Sequence, residues 1–278
     1  MKNNVSRAFT LLLLCFSLAC GKTTPLPEPP TPPAPVPVPT PVVTPPVSNP
    51  PGADPVTARK LLPTQFASAT RTIDITYVNN SNRIASIVDN KGYALNISYK
   101  DDRILSMKRP EKNISYASDV YRDEAHRVIR VSQYSVVGAV VTPGAEYHFA
   151  YNDKQQVREI QYFTSRKKLT AVKTFSYDAE GNIIQIKIDD GQVRSYDFTY
   201  DHQNGISRHV AESELLYIDL ENDLFSALFN NLVIKATGTA STTTKYNYTY
   251  NTDNYPGEVN FNENGATTRY RITYKAYD

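Results

Sequence analysis

The sequence predicts an all-β fold: a long antiparallel meander of repeated β-hairpins, about 14–16 strands, curled into a half-barrel or a barrel and carrying one short helical insertion. Three observations predict it. Short segments of apolar–polar alternation end in tyrosine, as in Ile73-Asp74-Ile75-Thr76-Tyr77 and Leu95-Asn96-Ile97-Ser98-Tyr99; successive strand side chains point to opposite faces, so such segments are strands with one buried face. The motif returns mostly every ~22 to 30 residues, and self-similarity at that period means one supersecondary unit used many times. Polar stretches such as Asn90-Lys91-Gly92, Asp190-Gly191, Asn204-Gly205 and Asn264-Gly265 separate the copies and supply the positive φ that tight hairpin turns require.

The chain before the repeats reads differently. Lys2 and Arg7 precede the apolar run Leu11-Leu12-Leu13-Leu14-Cys15-Phe16, the order of a secretory signal peptide and too short for a permanent membrane span. Residues 1–19 are read as that signal. Its end, Phe16-Ser17-Leu18-Ala19-Cys20-Gly21, resembles a bacterial lipobox. The resemblance implies cleavage before Cys20 and a lipid on its thiol, and Gly21 in place of an acid implies the outer membrane. Gly21-Lys22-Thr23-Thr24 lacks the acidic cluster of a surface-export signal, which leaves the periplasmic and cell-surface faces both open.

Residues 20–57 are read as the lipidated cysteine and a disordered stalk. Fifteen of the 19 prolines fall between Pro25 and Pro55, among Thr, Val and Ala with hardly any charge. Such a composition buries no core and prefers extended polyproline II geometry. At ~3.1 Å per residue, 30 residues reach roughly 90–100 Å.

Residues 58–278 are the repeat domain. Further copies are Val120-Tyr121, Tyr147-His148-Phe149-Ala150-Tyr151, Thr174-Phe175-Ser176-Tyr177, Tyr196-Asp197-Phe198-Thr199-Tyr200, Tyr246-Asn247-Tyr248-Thr249-Tyr250 and Tyr270-Arg271-Ile272-Thr273-Tyr274. The period breaks once, between Tyr200 and Tyr250. There Leu224, Phe225, Leu228, Phe229 and Leu232 recur at helical spacing, with Asn222 or Asp223 as cap, which predicts a helical insertion near 211–235 that plugs the apolar face of the sheet.

At Tyr177-Asp178-Ala179-Glu180-Gly181-Asn182 the repeat resembles the YD repeat of RHS proteins, and Tyr200-Asp201 with Asn204-Gly205-Ile206 resembles a degenerate copy. Together with the lipobox and the stalk, the chain resembles a family of Bacteroidota lipoproteins whose domain is a porin-like β-fold. That resemblance implies a fold and names no activity.

Composition excludes several classes of function. Lys2 and Arg7 account for the formal charge of +2, and the other 28 basic side chains match the 28 acidic ones, so the basic excess of a nucleic-acid binder is missing. Both cysteines, Cys15 and Cys20, lie outside the repeats, which leaves no disulfide, thiolate nucleophile or cysteine metal cage there. His126, His148, His202 and His209 fall in different repeats without metal-motif spacing, so no metal and no cofactor are expected. Asp219, Glu221 and Asp223 copy part of a calcium loop, but Leu224 replaces the turn glycine. Asp101-Asp102 and Asp189-Asp190 are turn formers with nothing apolar beside them to perturb a pKa. The strand-end tyrosines are expected to close the apolar face with their hydroxyls in water; stacking on sugar rings is the functional alternative. No catalytic residue is assigned.

The expectation is a non-enzymatic, lipid-anchored envelope protein, structural or binding, held to the membrane through Cys20. Its partner would be a glycan or an envelope protein. The alternatives are an integral outer-membrane barrel, which also alternates along its strands, and a glycan-active enzyme.

Overall fold

The computed structural model describes residues 59–213, 215, 230–238, 243–263 and 266–277. They form sixteen strands: β1 Lys60–Ala67, β2 Thr72–Tyr77, β3 Ile84–Asp89, β4 Ala94–Lys100, β5 Arg103–Glu111, β6 Ile114–Arg122, β7 Val128–Val137, β8 Val140–Tyr151, β9 Val157–Phe163, β10 Leu169–Tyr177, β11 Ile183–Asp189, β12 Val193–Tyr200, β13 Leu232–Thr237, β14 Thr243–Tyr250, β15 Pro256–Glu263 and β16 Ala266–Tyr277. Each pairs antiparallel with its neighbours in sequence, and β1 pairs with β16, so the sheet is a closed barrel. The sequence reading left closure open. Closure is made by β1, which carries no copy of the tyrosine motif: Phe66 lies opposite Ile272 on one side and Ile73 on the other. A barrel leaves no edge strand to aggregate.

Alternation fixes what each face presents. Ile73, Ile75, Leu95, Ile97, Met107, Val131, Ile160, Ile186, Phe198, Val259 and Ile272 join one buried cluster, which in a barrel of this kind is the inside. Their neighbours along the strands, among them Asp74, Thr76, Asn96, Lys108, Lys187, Asp197, Asn247, Thr249 and Arg271, are exposed on the outside. The barrel is apolar within, and outside it charged and polar side chains stand among exposed apolar ones such as Val88, Leu105, Ile129 and Ile184. Prolines sit where a ladder tolerates them: Pro63 at the β1 bulge and Pro256 opening β15.

The strand-end tyrosines are wired to the backbone. Tyr77 Oη donates to Pro63 O (2.8 Å), Tyr99 to Ile84 O (2.9 Å), Tyr151 to Val128 O (2.9 Å), Tyr177 to Val157 O (2.7 Å), Tyr200 to Ile183 O (2.8 Å) and Tyr274 to Pro256 O (2.9 Å); in β14 the bond comes from Tyr248, to Leu232 O (2.7 Å), while the strand-end Tyr250 donates to Asp201 Oδ2. Each even-numbered strand except β6 thus grips the strand before it. This corrects the expectation of hydroxyls in water: burial pushes the Tyr77, Tyr248 and Tyr274 phenols upward, and a buried hydroxyl needs a partner.

After Tyr151, Tyr177 and Tyr250 an Asx residue closes the next turn. Asp178 Oδ1 accepts from the Glu180 and Asn182 N–H groups (both 2.9 Å). Asn152 does so from Lys154 and Gln156, and Asn251 from Asp253 and Tyr255. The fourth turn residue takes positive φ: Gln155 at 62°, Gly181 at 95°, Asn254 at 61°. A tyrosine for the carbonyl and an Asx residue for the turn together account for the repeated pair.

In β6 the repeat is altered. Arg122, not Tyr121, occupies the tyrosine position, opposite Val128 across the bulge, and Tyr121 faces out. The third copy of the motif therefore ends at Arg122, one residue beyond Tyr121. Arg122 reaches the loop between β12 and β13, where it pairs with Glu212 at 2.7 Å.

That loop plugs the end of the barrel where β1 begins and β16 finishes. Ile206, Val210 and Leu215 enter the core cluster at 0, 6 and 2% exposure. Asn82 Nδ2 donates to His209 O and Ala211 N–H to Asn82 O; Glu212 also accepts from Ile104 N–H at 2.6 Å. Buried Asn231 is satisfied throughout, donating to Asp201 Oδ1 and Asn204 O and accepting from Ile206 N–H. Helix among the described residues is confined to 213 and 215. Leu224, Phe225, Leu228 and Phe229 lie outside the described residues. Leu232, placed on the helix by its spacing, is the first residue of β13, so the insertion ends before 232 rather than at 235.

Candidate functional site

Three adjacent strands, β6, β7 and β8, and the β9–β10 turn build a groove on the outer wall, about 650 Å³ in volume, lined by Asp119, Tyr121, Arg130, Ser132, Tyr134, Val141, Pro143, Glu146 and Lys167. Its floor follows from register. Asp119 lies opposite Ser132, and Ser132 opposite Glu146, so the three share a row across the wall. The next row is Tyr121, Arg130 and His148, and on the other side Tyr134 faces Pro143. Val120 and Val131, buried at 8 and 2%, point inward, which turns the residues flanking them outward.

A bulge between Ser132 and Tyr134 shapes the groove. There β8 passes so close that a Cβ on Gly144 would stand 3.0 Å from Gln133 O, so the bulge is built on glycine. It tilts Tyr134 and Pro143 into one wall.

The side chains form three connected groups. The Arg130 guanidinium lies 4.0 Å over the Tyr121 ring. Its Nε–H is enclosed and meets no acceptor among the described residues, and Arg130 makes no ion pair among them. Tyr134 Oη donates to Asp119 Oδ1 at 3.2 Å; burial, then the Asp119 charge, raises the Tyr134 phenol. Glu146 accepts from Ser132 Oγ (3.4 Å) and Lys167 Nζ, and shares a hydrogen bond with His148 Nε2 (3.2 Å). The Lys167 hydrogen bond, against a smaller effect of burial, holds the Glu146 carboxyl below its ordinary range. His148 also packs on the Phe163 ring at 4.7 Å.

The residues singled out in the sequence fall elsewhere, apart from His148. Cys20, Asp219, Glu221 and Asp223 lie outside the described residues. His126 holds positive φ in a turn, His202 stands 4.0 Å from Glu180, and His209 packs on Tyr255; burial, then the Arg208 and Lys60 charges, lowers the His209 imidazole. Asp101 and Asp102 both take positive φ, and Asp102 pairs with Arg83. Asp189 accepts from Gly191 N–H, and Asp190 pairs with Arg194. These carboxylates build turns. Asp119, Arg130, Tyr134, Glu146 and Lys167 carry no local motif, because only cross-strand register brings them together; the available signal was polar outward positions on successive long strands.

The sequence matches no protein-family model and no curated protein. Among solved structures, this all-antiparallel barrel is similar to a porin-like protein from Bacteroides uniformis, at 12% identity over 78% of this chain and 95% of that one, with a TM-score of 0.48. A porin-like protein from Bacteroides vulgatus matches at 12% identity over 77% and 99%, TM-score 0.47. A DUF3836 family protein from Parabacteroides distasonis matches at 17% identity over 32% and 77%, TM-score 0.22. At these TM-scores the likenesses say nothing of activity, and that question falls to the wall and the groove.

Proposed function

We propose that this protein is a lipid-anchored barrel of the outer membrane that works as a binding module and carries out no chemistry of its own. Residues 1–19 direct export, Cys20 bears the lipid, and the proline-rich stretch to residue 57 spaces the barrel from the membrane. The repeat belongs, in this reading, with the YD-like lipoproteins its sequence resembles.

The observation that carries the proposal is the polarity of the two faces. A wall in contact with lipid presents an apolar band, and Lys or Arg at the bilayer midplane costs about 2–4 kcal/mol each. This wall interrupts its exposed apolar side chains, such as Leu105 and Ile129, with Asp74, Lys108, Lys187, Asp197 and Arg271, while the inside is packed with isoleucine, leucine and phenylalanine. Such a barrel is favoured in water, tethered rather than inserted. The groove supports binding over catalysis: a glycosidase needs one carboxyl held protonated, and Lys167 biases Glu146 the other way.

The full chain carrying Cys20→Ala tests this. The variant is expected to be released in soluble form without detergent, whereas the parent takes up labelled fatty acid and stays with the membrane fraction. A variant that remains membrane-bound and needs detergent overturns the reading. Protease shaving of intact cells then assigns the barrel to the cell surface if it is lost, or to the periplasm if it survives.

A further inference from the structure

We propose that the groove between β6 and β8 recognises a sugar that bears a carboxylate, with Arg130 as the residue that takes it. The inference rests on the reading of the wall as a water-facing binding surface, and names the ligand class of that surface.

Arg130 is the warrant. Its guanidinium is fixed over the Tyr121 ring at 4.0 Å, and its enclosed Nε–H meets no acceptor among the described residues. Arg130 makes no ion pair among the described residues, so its charge is open to a carboxylate brought by a ligand. The guanidinium fork matches a carboxylate in two parallel hydrogen bonds, and its stacking on the ring leaves it already oriented. A neutral sugar would leave the guanidinium charge without a counter-ion.

The other groups set the rest of the ligand. Asp119 and Glu146 accept hydrogen bonds, as donor hydroxyls of a sugar require. Tyr134, Val141 and Pro143 give an apolar wall for the carbon face of a ring. Charge argues against a dense polyanion: Arg130 and Lys167 are balanced by Asp119 and Glu146, so one carboxylate finds its partner while a run of sulfates or phosphates would meet two fixed carboxylates.

Three sources share this chemistry, namely hexuronic acids, sialic acids and the muramic acid of peptidoglycan. The full chain with Cys20→Ala, in detergent-free buffer, is titrated with an oligogalacturonide, a sialylated lactose and the N-acetylglucosamine–N-acetylmuramic acid disaccharide, each also supplied with its carboxyl groups reduced. At least one acid probe is expected to bind, and which one identifies the source. Reduction and Arg130→Gln should each weaken that probe by about 10- to 100-fold, as loss of a charged hydrogen-bond pair does. Applied together they should weaken it little further.

A soluble, folded protein that ignores all three acid probes overturns the inference, as does equal binding of acid and reduced forms. Reduction leaves the protein untouched, so a folding defect in Arg130→Gln cannot mimic that second result. A Cys20→Ala variant that precipitates without detergent overturns the water-facing wall itself, and this inference with it.

Discussion

The plugged end of the barrel and its β6–β8 wall are made from the same hairpin repeat and put it to opposite use. At the plugged end most polar groups are spent on the fold: Asn231 is buried and bonded on all sides, and Glu212 takes Arg122 and the Ile104 N–H at 8% side-chain exposure, while the buried Ser207 Oγ meets no partner among the described residues. On the wall, Arg130 keeps a donor with no acceptor among the described residues. Satisfied polar groups specify a structure, while an unsatisfied one invites a ligand. One strand serves both regions, because β6 ends in Arg122 at the plug and carries Asp119 and Tyr121 to the groove.

If that contrast is right, stability should reside at the plug. Glu212→Ala strands a half-buried arginine and a backbone donor, and should cost about 3–5 kcal/mol, as breaking a buried pair does; urea unfolding measures it. A loss below about 1 kcal/mol would mean the plug is held by its apolar residues alone. Ile206→Ala empties a fully buried site and should cost about 3 kcal/mol by the same assay. Tyr177→Phe removes one hydroxyl from the Val157 carbonyl, for about 1 kcal/mol. Combining it with Tyr77→Phe on the other side of the barrel should add the two losses.

The turns give a test by pH. Burial would raise the Asp178 carboxyl, but the Asn182 side chain and the Asn182, Glu180 and Gly181 N–H groups outweigh it and hold it below its ordinary 3.8. Near pH 4 the folded chain then binds fewer protons than the unfolded one. Its contribution is complete above the ordinary carboxyl pKa and is lost as pH falls through the lowered value. Asp178→Asn should therefore lower stability at pH 7, since it also sets an amide donor against Asn182 Nδ2, and should flatten the fall between pH 4 and pH 2. Unchanged acid sensitivity would assign that fall to other carboxyls such as Asp89, which Arg71 holds.

The smallest effect on the fold belongs to the wall. Arg130→Gln should change unfolding stability by less than about 0.5 kcal/mol, as surface substitutions usually do, and leave the barrel's circular dichroism intact. A large loss there would mean that the wall, too, is structural.

The sequence by itself determined the fold class, because period-two alternation and Asn–Gly or Asp–Gly turns are local signals that need no partner. It also carried the tyrosine–Asx pair, although not the reason for it: the carbonyl each tyrosine reaches is 14 to 23 residues away, on another strand. The helical spacing around Leu232 misled, because a lone apolar residue fits helix and strand alike until its neighbours are known. Closure was decided by tertiary structure, since β1 has no repeat signature and becomes a strand by lying between β16 and β2. So was the groove, whose residues come from separate strands and a turn and meet only when register places Asp119, Ser132 and Glu146 in one row. Alternation can be read along a chain, but register is set between chain segments, and a site written across strands exists only once they pair.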